Sequence, residues 1–174
     1  MNRSMLKIPE TPEVMLIPFT DRLMEELIKS TKSFSAHLDH EVHSQFPNQE
    51  FKEALPLFIQ RRKQNREEQN LGFLILWREL NLVVGEIGAK VLPTCAEIEA
   101  GYGVVPGMRG RGIATVALRL FTRHCFSSGR VKTIRAGCLE ANVGSIRVLE
   151  KAGFQRAGTK NTPDGPSISW VLQK

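Results

Sequence analysis

The apolar positions of this chain change period several times, and each change marks an element. Residues 14–19 form a short apolar run of strand type. Thr20 or Asp21 can then cap a helix reaching about residue 30, with Leu23, Leu27 and Ile28 on one face. Residues 49–64 return to helical spacing with Phe51, Leu55, Leu57, Phe58 and Ile59 inward, and Pro56 inside them predicts a kink or a break. The charge run at 61–70 reads as the solvated end of that helix and a turn. Two strands at 71–78 and 82–90, joined by a short turn at Glu79-Leu80-Asn81, predict an antiparallel hairpin. Pro93-Thr94 turns the chain again. Residues 97–105 then alternate with period two, so that Glu97, Glu99, Gly101 and Gly103 share one face and Tyr102 lies on the other, where core packing explains it. Two glycines on one strand face signal a bulge or a close approach of other atoms.

The second half has a simpler rhythm. A helix over 112–127 buries Ile113, Val116, Ala117, Leu120 and Phe121, with Arg119, Arg123 and His124 in the half where cations suit the helix dipole. A strand at 131–139 follows Gly129. Asn142 is a good N-cap for a second helix carrying Ile146, Val148 and Leu149, and Gly153 supplies its left-handed stop. Strands at 154–159 and 167–172 flank a Pro/Gly/Asn/Asp turn. Three strands followed by strand–helix–strand–helix–strand predict one α/β domain over residues 1–174, built on a mixed sheet.

Composition narrows the function. An apolar fraction of 41% and 24% charged residues suit a soluble globular chain, and neither residues 1–10 nor the apolar run at 71–77 could serve as a leader or cross a bilayer, so no membrane partner is expected. Cys95, Cys125 and Cys138 are odd in number and lack CxxC spacing, which reads as reduced, buried thiols in a cytoplasmic protein. The net charge of +6 is unevenly placed: residues 106–160 hold eleven Lys/Arg against two acids. A compact polyanion explains that placement as well as nucleic acid does. The aromatics that would stack bases are missing, since only Phe121, Phe126 and Phe154 occur there, so no nucleic acid is expected. His37, His40 and His43 recur at three-residue intervals and could line one side of a helix as a zinc site. Nothing nearby supplies the remaining ligand geometry, so residues 34–46 read as a polar, partly exposed helix near a substrate entrance, with no metal.

The chemistry concentrates at Val104-Val105-Pro106-Gly107-Met108-Arg109-Gly110-Arg111-Gly112-Ile113-Ala114-Thr115. A β-branched run enters a glycine- and arginine-rich loop that opens a helix, and exposed amides at a helix N-terminus favour an anion. Gly107 and Gly112 have the spacing of a P-loop, but Ile113 and Ala114 stand where its lysine and hydroxyl belong. Thr115 stands where the dinucleotide fingerprint needs its third glycine, and the strands before it look antiparallel.

The stretch Arg109-Gly110-Arg111-Gly112-Ile113-Ala114 resembles Arg/Gln-x-x-Gly-x-Gly/Ala, the acyl-CoA pyrophosphate loop of the GNAT N-acetyltransferases. Residues 99–104 resemble that family's bulged central strand. Asn142-Val143-Gly144-Ser145, continuing to Lys151, Gly153 and Phe154, resembles its N-x-x-S-x-x-x-x-x-K-x-G-F signature in the form found in the ribosomal-protein N-terminal acetyltransferases. The resemblance implies a mostly antiparallel, twisted sheet whose central strands splay apart around acetyl-CoA, flanked by helices. It implies that the backbone from Tyr102 to Val105, Val104 and Val105 above all, pairs with the pantetheine arm and aims an amide at the thioester oxygen. Backbone of Arg109, Gly110, Arg111, Gly112, Ile113, Ala114 and Thr115 would hold the pyrophosphate, Asn142 would contact the cofactor across the cleft, and Ser145 would protonate the departing thiolate. Glu99 aligns with an acid that could act through water as the base. Helix capping equally explains Asn142, a first-turn preference explains Ser145, and an exposed strand carboxylate explains Glu99.

The acceptor is less legible. An α-amine of pKa about 7.7–8.0 is partly neutral at pH 7, whereas a lysine-like amine near 10.4 costs roughly 3 kcal/mol more to deprotonate. Without a strong base in view, the sequence favours a protein N-terminus or a small-molecule α-amine over a polyamine. Its contacts are expected from residues 34–46 and 159–167. An acyl-CoA-binding sensor without catalysis is the alternative on the same fold.

Overall fold

Residues 9–65, 71–94 and 96–174 are described in a computed structural model. The leader reading of residues 1–8, the 66–70 end of the charge run and the burial of Cys95 lie outside the described residues. The elements run β1 (Val14–Pro18), α1 (Asp21–Lys29), α2 (Thr31–Ser35), β2 (Glu41–Val42), α3 (Gln49–Gln64), β3 (Gly72–Trp77), β4 (Leu82–Val91), β5 (Glu97–Val104), α4 (Ile113–Ser127), β6 (Thr133–Leu139), α5 (Val143–Lys151), β7 (Gln155–Thr162) and β8 (Gly165–Gln173). The sheet order is β1-β3-β4-β5-β6-β8-β7, with β2 pairing beside β4. Every pairing is antiparallel except β2–β4 and β5–β6. The predicted mixed α/β sheet is therefore present.

Its central opening is visible in the register. β4 and β5 stay paired from Val91↔Ile98 to Gly85↔Val104. β5 and β6 pair only at Glu97↔Thr133, Ile98↔Ile134 and Glu99↔Arg135. Beyond Glu99, β5 keeps its partner on one side and loses it on the other, so a wedge opens towards Val104. The bulge does not lie in β5 as the resemblance implied. The β4–β5 register is unbroken, and the shift falls between Ile75 and Leu76 of β3, opposite Gly85 and Val83 of β4. The extra residue, Val84, turns its carbonyl to accept from Val105 N–H at 2.9 Å.

Helices cover both faces. On one, Phe121 of α4 is fully buried and meets Phe73 edge-on at 6.1 Å. On the other, α1 and α3 pack through Phe19, Phe51 and Phe58, with Phe19–Phe51 centroids 6.0 Å apart. α1 starts where Thr20 accepts from Leu23 N–H, as expected, but Ile28 is 44% exposed and Met24 takes the buried place. α3 starts at Asn48, whose side chain accepts from Phe51 N–H, and runs through Pro56 without a break. Leu55 and Ile59 are buried on either side of the proline, and that packing outweighs the one hydrogen bond it removes. Leu57 is 56% exposed, because two residues from Leu55 points the other way at 3.6 per turn. The start of the charge run is not simply solvated. Arg62 is buried, its guanidinium pairs with Asp21 at 2.9 Å and donates to Phe19 O, and so ties α3 to α1. Among the described residues no helix is long and apolar enough to cross a membrane.

Candidate active site

The loop expected to hold the cofactor is shaped by backbone. After β5, a 3-10 turn over Pro106–Met108 leads to Gly110 and Gly112, both at φ +78°. That left-handed region suits glycine and penalises a side chain, so these two positions set the loop's path. Gly112 is the N-cap of α4 and has no side chain to satisfy the helix amides. The first intrahelical bond shown there runs from Val116 N–H to Gly112 O. Ile113, Ala114 and Thr115 therefore begin the helix with N–H groups that have no partner within it, which is what an incoming phosphate uses. Arg111 is exposed beside them. Arg109 behaves differently: its Nε donates to Val104 O at 3.0 Å, bracing the loop against the end of β5.

At the wedge, Val105 N–H is already committed to Val84 O. By strand alternation Gly103 faces β4, while Tyr102 and Val104 direct backbone groups into the gap. Of the two valines, Val104 is thus the one placed to meet an extended ligand. Across the gap, Asn142 Oδ1 accepts from Ser145 N–H at 3.0 Å, so the capping role is real. Tyr102 is half-buried on the face opposite Glu99, as its alternation requires. Its hydroxyl also donates to Ser145 O at 3.4 Å, linking β5 to α5. Burial raises the Tyr102 phenol to about 12 and keeps it protonated.

The carboxylate that matters most on the other face is Glu86, which the sequence reading passed over. Its signal was there: one acid in the middle of the apolar strand Leu82–Val91. Glu86 sits opposite Gly103, and a Cβ built on Gly103 would lie 2.3 Å from Glu86 Oε1. Gly103 therefore lets the carboxylate lie across β5, and close approach, not a bulge, explains that glycine. Burial pushes the Glu86 carboxyl up to about 8. Glu99 is placed otherwise. It is partly exposed and paired with Lys90 Nζ at 2.8 Å. Four residues along β5 from Gly103, it stands roughly 13 Å from the position Glu86 crosses, at about 3.3 Å per residue.

A cavity of about 440 Å³ opens above this face, lined by Asn48, Phe51, Ala54 and Phe58 of the α3 region and by Glu86, Gly101 and Gly103 below. Residues 34–46 and 159–167, from which acceptor contacts were expected, do not line this cavity. The stretch from 34 to 46 is also not one helix. α2 ends at Ser35, and the chain turns before β2. His37 Nδ1 meets Ser33 O, His40 Nδ1 meets Asn81 Oδ1, and His43 Nδ1 accepts from Gln45 N–H. Three imidazoles at regular sequence spacing thus face three different partners. Among the described residues no three His, Cys, Asp or Glu groups converge on a metal position. Gln45 still reaches the site's edge, where its Oε1 accepts from Gly107 N–H at 2.9 Å.

Comparison with known proteins agrees with this geometry. The profile of the acetyltransferase (GNAT) domain matches residues 14–155. The probable N-acetyltransferase YjcK of Bacillus subtilis is 43% identical over 58 residues, 33% of this chain and 32% of that protein. An aminoglycoside N(6')-acetyltransferase type 1 of Klebsiella pneumoniae is 39% identical over 62 residues, 36% of this chain and 31% of its own. The chain thus spans about a third of the length of these two relatives. An acetyltransferase of the GNAT family from Bacillus anthracis has the same fold at TM-score 0.65 and 19% identity, covering 95% of this chain and 98% of that one. A ribosomal-protein-alanine acetyltransferase from Vibrio fischeri does so at TM-score 0.64 and 16% identity, with 94% of each chain covered. With the family profile spanning most of its length and the splayed sheet in place, this chain belongs to the GNAT acetyltransferase family.

Proposed function

We propose that the chain, as one domain over residues 1–174, transfers the acetyl group of acetyl-CoA to a primary amine. The observation that carries this reading is the juxtaposition at the wedge of a phosphate-ready helix start on one side and a buried carboxylate, Glu86, on the other. Amides from Arg109 to Thr115 and the charge of Arg111 hold the pyrophosphate, Val104 backbone pairs with the pantetheine arm, and Asn142 turns its remaining amide group towards it. Relatives named as N-acetyltransferases of aminoglycosides, and a fold shared with a ribosomal-protein acetyltransferase, support an amine acceptor. The two buried cysteines without disulfides, Cys125 and Cys138, support a reducing, cytoplasmic setting.

In the reaction the amine lone pair forms a C–N bond to the thioester carbonyl and the C–S bond breaks, leaving the electron pair on sulfur. One proton leaves the nitrogen for Glu86, and the thiolate takes a proton from the Ser145 hydroxyl, which Asn142 and Tyr102 hold in place through its own backbone; solvent returns a proton to Ser145 and takes the one held by Glu86, which closes the cycle. The base role passes from Glu99 to Glu86. A carboxyl near 8 has basicity close to that of an α-amine, so proton transfer between them is nearly balanced; Glu99 is instead committed to Lys90. Incubation with acetyl-CoA and a panel of amines, followed by thiol release and product mass, tests the reading. Amine-dependent release is expected. Tight CoA binding with no release for any amine would instead identify a sensor that has lost catalysis.

A further inference from the structure

The cavity above Glu86 has a chemical character of its own. Phe51, Ala54 and Phe58 recur at intervals of three and four along α3, so they present one continuous apolar face to it. The rings of Phe51 and Phe58 lie 5.8 Å apart, and Phe19 stands 6.0 Å behind Phe51. At the floor lies the Glu86 carboxyl, half-buried beside Gly103. The rest of the lining carries two acids, Glu50 and Glu99, and three cations, Arg61, Arg62 and Lys90; Lys90 pairs with Glu99, and Arg62 pairs with Asp21. A polycation bound here would bury ammonium groups without a matching carboxylate for each, at a cost of several kcal/mol per unpaired charge. One amine, by contrast, finds one acid. At about 440 Å³ the space is far larger than a methylamine requires.

Resting on the acetyltransferase reading, we propose that this cavity is a specificity pocket for a primary α-amine carrying one bulky apolar or aromatic group, and that it excludes polycationic amines. The amine sits at Glu86 and the apolar group lies against the Phe51–Phe58 face of α3. Gly101 makes the pocket possible. It shares the Glu86 face of the sheet, and a Cβ built on it meets nothing within 4 Å, so its missing side chain is volume left to the ligand. Either a free hydrophobic amine or the N-terminal residue of a polypeptide presents this chemistry.

The test is steady-state acetyl transfer from acetyl-CoA to phenylalaninamide, glycinamide, a tripeptide beginning with Phe, spermidine and kanamycin. Phenylalaninamide is expected to exceed glycinamide in kcat/KM by about tenfold or more, on the scale of an apolar group filling a pocket. A tripeptide better than the amide identifies a polypeptide source, and the reverse identifies a small molecule. Glycinamide equal to phenylalaninamide, or spermidine or kanamycin preferred, overturns the pocket while leaving the transferase standing. Transfer to none of them, with acetyl-CoA bound, overturns both. Gly101→Val should raise KM for phenylalaninamide about tenfold more than KM for glycinamide, with acetyl-CoA affinity unchanged. If that variant does not fold, Phe58→Ala decides: it widens the pocket and should narrow the Phe-over-Gly ratio, and an unchanged ratio overturns the proposal.

Discussion

The two sides of the wedge are built on different principles. The proposed cofactor side runs from Tyr102 to Ser145 and works through backbone: an uncapped helix start, two left-handed glycines and a capped second helix. The proposed acceptor side draws Phe51 and Phe58 from α3 and Asn48 from its N-cap, Glu86 from β4 and Gly101 and Gly103 from β5, and works through side chains and burial. Backbone recognition tolerates much substitution provided the glycines and caps remain. Side-chain recognition can be rewritten by a single residue. One half can therefore stay fixed while the other changes substrate.

The sharpest way to break this contrast is at Glu86. Glu86→Gln should lower kcat by about 10²- to 10⁴-fold with acetyl-CoA affinity unchanged, measured by turnover and by titration calorimetry. The same residue fixes the pH dependence. Its folded pKa is raised, so the base form accumulates as pH passes through about 8, and kcat/KM should climb across that range. The Gln variant should retain only the amine's own titration. Stability should move oppositely. An acid raised from 4.5 to about 8 by burial makes the native state progressively less favourable as pH rises from about 4.5 to about 8. The melting temperature of Glu86→Gln relative to wild type should accordingly increase over that interval and level off above it.

A second effect belongs to the acceptor side alone. Arg62→Ala removes the buried partner that ties α3 to α1 and should cost about 3 kcal/mol or less in unfolding experiments, discounted because the Asp21 side chain is one-third exposed. Its effect on amine KM should exceed its effect on acetyl-CoA affinity, since α3 carries the pocket and no part of the loop. On the cofactor side, Arg111→Glu should weaken CoA binding about tenfold, a value limited by the exposure of the side chain, and the loss should shrink with salt. Unchanged affinity would remove Arg111 from the cradle. The smallest effect is expected at Asn142→Ala, which deletes the α5 cap for about 1 kcal/mol of stability and should raise acetyl-CoA KM modestly.

The alternation of β5, the N-caps at Thr20 and Asn142, the stop at Gly153 and the hairpin of β3 and β4 all followed from local rules, because each depends on residues within one turn or one strand. The cradle was legible for the same reason: its donors are consecutive amides. Local rules reach less far where distance along the chain matters. Pro56 did not break α3, because Leu55 and Ile59 are held by packing from elsewhere. The histidines at 37, 40 and 43 lie on no common helix, since the chain leaves α2 to pair beside β4. The ion pair of Glu99 was equally out of reach, because its partner Lys90 comes from the neighbouring strand.

By itself, then, the sequence determined the element order, the helix starts and stops, and a loop that can bind a phosphate through its own backbone. Only the tertiary structure decided that the sheet parts beyond Glu99, that Val105 faces β4 while Val104 faces the gap, and that Glu86 lies across Gly103 in an apolar setting. The division has one physical cause. Backbone conformation is set by neighbours in sequence, whereas desolvation is set by whatever packs around a group in space, and it is desolvation that turns one of the chain's acids into a candidate base.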